Sequence, residues 1–141
     1  MPIETDDALR GLLERVRSIA VVGIKADAAD DAYRVPRYMQ ERGCRILPVS
    51  PKLDRVLGEP CVPSLGSLED TPDLVNLFRA SAHIPHHVDE ILSLSGRPAG
   101  VWLQLGIRHP AATRRLEAAG ITVVEDRCLM VEHGRLRSLR D

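Results

Sequence analysis

The run Ile19-Ala20-Val21-Val22-Gly23 decides the class of this fold, because it is apolar at every position until glycine stops it. A strand with one face in water alternates apolar and polar residues, whereas an unbroken apolar run belongs to a strand covered on both faces, as in a parallel sheet between helices. Upstream, residues 5–17 space Leu9, Leu12, Leu13 and Val16 along one side of a helix, with Thr5 or Asp6 available as N-cap. Downstream, a polar loop leads to residues 33–42, where Val35, Tyr38 and Met39 share a side and Gly43 suits a helix end.

The cycle then repeats. Residues 44–49 read as a second strand, with Pro48 marking its end or a sheet edge because proline cannot donate to the ladder. Residues 50–72 carry Pro51, Pro60, Pro63 and Pro72 and read as turns, with one helical turn at 65–69. A third strand is expected at 74–78, a helix at 84–95 with Pro85 in its first turn, a fourth strand at 100–105 and a helix at 110–119 closed by Gly120. A fifth strand at 121–124 and a short helix at 128–137 complete the pattern. Strands alternating with helices imply βαβ units, so the expected architecture is a three-layer α/β domain over residues 1–141 with a mostly parallel five-stranded sheet. Ligands of such sheets bind outside the carboxyl ends of the strands near the topological switch point, which directs attention to the loops beginning at Gly23, Val49, Phe78 and Gln104.

Composition narrows the function. The 141 residues carry 19 Lys+Arg against 20 Asp+Glu, a formal charge of −1, and broad binding to nucleic acid or an anionic membrane needs a basic surplus this chain lacks. No apolar run approaches the ~20 residues of a membrane helix, and the acidic start resembles no targeting peptide, so a cytoplasmic protein is expected. Cys44, Cys61 and Cys128 form no CxxC pair and read as reduced thiols. Lys25 and Lys52 are the chain's two lysines, one after each of the first two strands.

Dinucleotide signals are missing. Gly23 stands alone where a Gly-x-Gly-x-x-Gly turn would be needed, no Gly-Lys-Ser/Thr follows, and the second strand leads to Ser50-Pro51-Lys52 rather than to an acid for a ribose diol. The first loop nevertheless brings backbone amides toward a helix expected to begin near Tyr33, with Lys25 and Arg34 adding charge, and Lys52 favours a phosphorylated ribose over a free one. Read alone, these residues fit either a phosphate-bearing ligand or an ordinary βα turn with surface lysines. His83, His86 and His87 have helical spacing but no HExxH context, and read as a solvated first turn rather than a metal site. His109 and His133 are poor candidates for a base, and no Gly-x-Ser-x-Gly elbow is present, so no catalytic residue is nominated. Trp102, alone on a central strand, is assigned to the core, a ligand contact being the alternative.

Ile19 to Gly23, Pro48-Val49-Ser50-Pro51-Lys52, Gly58, Val75 to Ser81, Trp102-Leu103-Gln104-Leu105-Gly106 and Asp126-Arg127-Cys128 together resemble the small single-domain CoA-binding proteins of bacteria and archaea. Those are Rossmann-like, similar to the CoA-binding domain of the succinyl-CoA synthetase α subunit, and the similarity runs from about Ser18 to Glu132. The resemblance implies coenzyme A as cofactor, with Gly23, Ile24, Lys25 and Arg34 at the pyrophosphate and Val49, Ser50 and Lys52 at the adenosine end, Lys52 near the 3′-phosphate. It implies Phe78 and Arg79 beside the adenine or ribose, Gln104 to Gly106 along the pantetheine, and Tyr33 and Pro36 beside the phosphates. The synthetases react through a phosphorylated histidine and further domains, which a chain of 141 residues is expected to lack. The expected function is therefore recognition of CoA or acyl-CoA by a non-catalytic carrier, sensor or regulatory module with no nucleic-acid or membrane partner. An NADP-dependent enzyme using Lys52 on the 2′-phosphate, and an interaction module with a vestigial pocket, are the alternatives. Cys128 is expected either as a small buried hydrophobe or as a ligand-side thiol able to form a mixed disulfide with CoA.

Overall fold

A computed structural model describes the backbone of residues 1–140 and the side chains of residues 1–137, so Asp141 lies outside the described residues. The chain runs α1 (Asp6–Glu14), β1 (Ser18–Val22), α2 (Asp31–Glu41), β2 (Arg45–Val49), β3 (Arg55–Val56), β4 (Glu59–Pro60) and β5 (Leu74–Leu77). It continues through α3 (Ile84–Leu92), β6 (Gly100–Leu103), α4 (Pro110–Ala118), β7 (Thr122–Val124) and α5 (Leu129–Arg140), with single 3-10 turns at Leu65–Ser67 and Ser81–His83. Five strands pair in parallel in the order β2-β1-β5-β6-β7, a Rossmann-like α/β sheet.

The first strand behaves as its apolar run requires. Ile19 and Val21 pack into a cluster with Leu9, Leu12, Val35, Met39 and Leu129, the side covered by α1, α2 and α5. Ala20 and Val22 face the opposite cluster, formed with Val88 and Ile91 of α3 and Leu116 of α4. Both faces of β1 are therefore dry, and the three layers follow. Pro48 lies on an edge strand, as its missing donor demands. That edge is covered by the segment after β4, where the Val62 N–H donates to the Pro48 carbonyl at 3.0 Å and the Ser50 N–H to the Val62 carbonyl at 2.9 Å.

Several elements depart from expectation, among them the first helix, which ends at Glu14 rather than at residue 17. The helix expected from Tyr33 begins at Asp31, because the Asp30 carboxylate caps it by accepting the Ala32 N–H at 2.9 Å. The helix expected to reach residue 95 ends at Leu92, where the Ser93 N–H closes on the Asp89 and Glu90 carbonyls. The turn-rich stretch holds a small antiparallel hairpin, β3 with β4, turned by Leu57 and Gly58 at φ +53° and +77°. At the amino edge of the main sheet, one Asp73 carboxylate oxygen accepts the Arg17 and Ser18 N–H groups at 2.8 and 3.1 Å, and Ser18 Oγ accepts the Asp73 N–H at 3.0 Å. That staple joins the starts of β1 and β5.

Candidate functional site

The chain leaves β1 for β2 on one side and later returns to β5 on the other, so the switch point lies between β1 and β5. At their carboxyl ends the Phe78 N–H donates to the Val22 carbonyl at 2.9 Å, and the Gly23 N–H to the Val49 carbonyl at 3.3 Å. Gly23 sits at φ +83°, and a Cβ there would stand 2.4 Å from the Phe78 carbonyl oxygen. This position requires glycine for its backbone angle and for the closeness of the two loops. Beside it opens a cavity of about 390 Å³, whose lining includes Gly23, Lys25, Phe78, Arg79, Gln104 and Leu105 of the residues placed at the ligand by the resemblance.

The phosphate cradle differs from the sequence expectation in one respect. The positive end of α2 is occupied by its own acids: Asp30 caps the helix, and the Arg34 guanidinium bonds both Asp31 and the Ala29 carbonyl. Arg34 is thus neutralised locally and does not line the cavity, whereas Asp30 and Asp31 do. Among the described residues, Lys25 and Arg79 make no ion pair, and they are the cationic side chains of the lining. Pro36 acts at a distance from the lining. Lacking an N–H, it leaves the Ala32 carbonyl four residues earlier without its helical donor, and that carbonyl accepts the Lys25 N–H at 3.3 Å. The proline therefore fastens the loop that carries Lys25, and its signal in the sequence is a proline inside a helical period.

Gln104 forms the inner wall, only 5% exposed. Its Oε1 accepts from Asn76 Nδ2 at 3.2 Å and from the Leu129 N–H at 3.4 Å, which leaves its Nε2 as a donor toward the cavity. Leu105, 68% exposed, and Ile107 add apolar surface. The Leu105-Gly106 turn is pinned from outside by Asp126, whose carboxylate accepts the Gly106 N–H at 2.6 Å and Arg108 Nη2 at 2.8 Å. These two donors, the backbone one foremost, hold the Asp126 carboxyl below its ordinary range. Asp126 adopts φ +54°, a left-handed conformation uncommon for a non-glycine residue, at the point where its carboxylate accepts these two hydrogen bonds. Cys128 lines this cavity and also a neighbouring one of about 350 Å³, whose wall includes Ile3, Leu105, Arg127 and Val131.

The other nominated residues stand apart. Ile24 is buried in the core and Val49 beneath the sheet edge. Ser50 is buried, and its hydroxyl accepts the Lys52 and Leu53 N–H groups at 3.1 and 3.2 Å, which folds the turn that exposes Lys52. Gly106 is held by Asp126 as above, and Tyr33 packs against the core cluster. Trp102 is fully buried and donates Nε1–H to the Arg127 carbonyl at 2.8 Å, which makes it core and a support for the segment bearing Cys128. His109 caps α4 by accepting the Ala112 N–H, and His133 bonds Tyr38. His86, His87 and Glu90 bring potential ligand atoms within 4.8 Å of one another on α3, away from the lining, with Glu90 already bonded to His87.

Comparison with known proteins identifies a family and a shared fold. A family model described as a CoA binding domain matches residues 17–134. The uncharacterized protein YneT of Bacillus subtilis is 34% identical over 125 residues, covering 89% of this chain and 91% of that one. A solved structure from Thermus thermophilus, cell-free ID.343, is 45% identical with a TM-score of 0.88, covering 94% of this chain and 99% of that one. An archaeal acetyl-coenzyme A synthetase from Ca. Korarchaeum cryptofilum shares the fold at 20% identity and a TM-score of 0.65, over 76% of this chain and 25% of that one.

Proposed function

The chain belongs to the CoA-binding domain family, and from that premise we propose that it binds coenzyme A or an acyl-CoA in the switch-point cavity, as a non-catalytic carrier, sensor or regulatory module of the cytoplasm. The observation that carries the reading is the cavity itself, where Lys25 and Arg79 offer unpaired charge to phosphates and Gln104 offers an amide donor beside the apolar Leu105 and Ile107. A few local charges suffice for a polyanionic ligand on a chain whose formal charge is −1. The non-catalytic reading is supported by the lining, whose carboxylates, Asp30 and Asp31, are engaged with the helix start and Arg34, and whose described residues include no histidine. A cytoplasmic setting fits a chain in which no helix among the described residues is long and apolar enough to cross a membrane.

Calorimetry with CoA, acetyl-CoA, NADP and ATP tests the reading. CoA and acetyl-CoA are expected to bind at least about tenfold more tightly than NADP or ATP, a difference of ~1.4 kcal/mol, and acetyl-CoA is expected to be recovered intact. Preference for NADP, or no heat with CoA up to about 1 mM, would overturn CoA binding; turnover of acetyl-CoA would overturn the non-catalytic role.

A further inference from the structure

Resting on the CoA reading, we infer that Cys128 is a reversible covalent attachment site at which the protein captures one half of CoA disulfide as a mixed disulfide. The chain has three thiols in three settings. Cys44 is half-buried against the core, its Sγ 3.9 Å from the Val16 carbonyl, and burial pushes its thiol up. Cys61 sits in the strap over β2, its thiol likewise pushed up by burial. Neither lines the switch-point cavity or its neighbour, whereas Cys128 lines both.

A cysteine on a wall is not yet a site; Gln104 supplies the second observation. It is 95% buried by its 5% exposure, lines the same cavity, and has an Nε2 with no protein partner, while its Oε1 is taken by Asn76 and by the N–H of Leu129, the residue after Cys128. That amide nitrogen is not sealed in the core, so on this wall of the cavity it can donate to a ligand carbonyl, and the pantetheine arm of CoA carries two. The strand order places Lys25 after β1 and Cys128 beyond β7, three interstrand spacings across the sheet, about 14 Å. Phosphates at Lys25 and Arg79 would thus send the arm past Gln104 toward the Cys128 sulfur.

The chemistry is thiol–disulfide exchange. The Cys128 thiol loses its proton, and its sulfur attacks one sulfur of CoA disulfide. The S–S bond breaks, a new bond joins Cys128 to the retained CoA, and the other CoA leaves as thiolate and takes the proton. Cys128 is oxidised, the released CoA is reduced, and a small thiol in excess reverses the step.

The test treats reduced, desalted wild-type protein with CoA disulfide and, separately, with glutathione disulfide, followed by intact mass and peptide mapping under non-reducing conditions. One CoA is expected on the Cys128 peptide, removed by dithiothreitol and formed about tenfold or more faster than the glutathione adduct, because a seated ligand holds the two sulfurs together. Reduced CoA in excess is expected to slow it, and the Cys44→Ser/Cys61→Ser variant to form it in full. An adduct on Cys44 or Cys61, equal rates with both disulfides, or no adduct would overturn the inference. Mapping on the wild type makes the result independent of whether Cys128→Ser folds. Calorimetry with reduced CoA separates the two failures: binding without an adduct removes this inference alone, and absence of binding removes the proposed function as well.

Discussion

The two edges of the sheet are built to opposite rules. At the amino edge Asp73, Ser18 and Arg17 satisfy one another through three hydrogen bonds that close within the protein. At the carboxyl edge the groups are left over: Lys25 and Arg79 lack ion partners among the described residues, Gln104 keeps a free donor, and Gly23 and Asp126 hold left-handed backbone. A fold of this kind spends polar groups on stability at one edge and reserves them for a ligand at the other. Substitutions should therefore separate cleanly, with the amino edge changing stability alone and the carboxyl edge changing binding.

Gly23 is the position where the separation is expected to fail, and it carries the largest effect. Gly23→Ala places a Cβ 2.4 Å from the Phe78 carbonyl oxygen at φ +83°, so a loss of about 3 kcal/mol in urea unfolding is expected, together with loss of CoA affinity as the β1 and β5 loops part. Full stability with unchanged affinity would show that these loops do not shape the cavity. At the other edge, Asp73→Ala leaves two backbone N–H groups without their carboxylate, and a loss of about 2 kcal/mol is expected. CoA affinity, measured on the folded fraction, should stay within about twofold, under 0.5 kcal/mol; a larger drop would mean that the edges are coupled.

How far the residues foretold this division follows from the range of each signal. The five strands of the sheet and the helices between them were legible because each is an apolar or periodic run, of three to twelve residues, bounded by glycine or polar turns. The β3–β4 hairpin was not, since strands of two residues are too short to show any period. Lys25, Phe78, Arg79 and Gln104 were nominated as a group, and the structure brings them to one cavity. The reach of Arg34 was overestimated, because Asp31 three residues earlier claims it within the first turn of α2. The Asp73 staple and the Ala32–Lys25 bond freed by Pro36 join partners that only the folded chain brings together.

Within the carboxyl edge, charge should matter for binding and not for folding. Lys25→Ala and Arg79→Ala are each expected to weaken CoA by about 1 kcal/mol, seen by calorimetry, while the unfolding midpoint is unchanged. A stability loss from either would mean that its charge serves the fold. A smaller effect tests the ion pairs that Glu132 of α5 makes with Arg127 and Arg135. Burial alone would push the Glu132 carboxyl up, but the Arg135 and Arg127 guanidinium groups outweigh it and the net displacement is downward. Its folded pKa thus lies below the ordinary 4.5, so its contribution is present above that pH and is lost as pH falls through the depressed value. Glu132→Gln should flatten the acid limb of the stability profile below pH 4.5 by under about 1 kcal/mol. An unaltered limb would assign the acid loss to other carboxylates.

Lys52 sharpens the contrast most finely, because it stands on the carboxyl edge yet outside the cavity. Ser50 buries its hydroxyl to fold the turn, so Lys52 projects as an exposed ammonium on a flexible stem. An exposed charge facing a phosphate in water is screened, and its contribution falls to about 0.5 kcal/mol at physiological salt. If Lys52 reads the 3′-phosphate, Lys52→Ala weakens CoA by that amount and leaves 3′-dephospho-CoA unchanged, and the difference shrinks further at high salt. Equal weakening of both ligands would place the adenosine end elsewhere. A difference well above 1 kcal/mol would instead mean that the turn closes over the ligand and removes the pair from water.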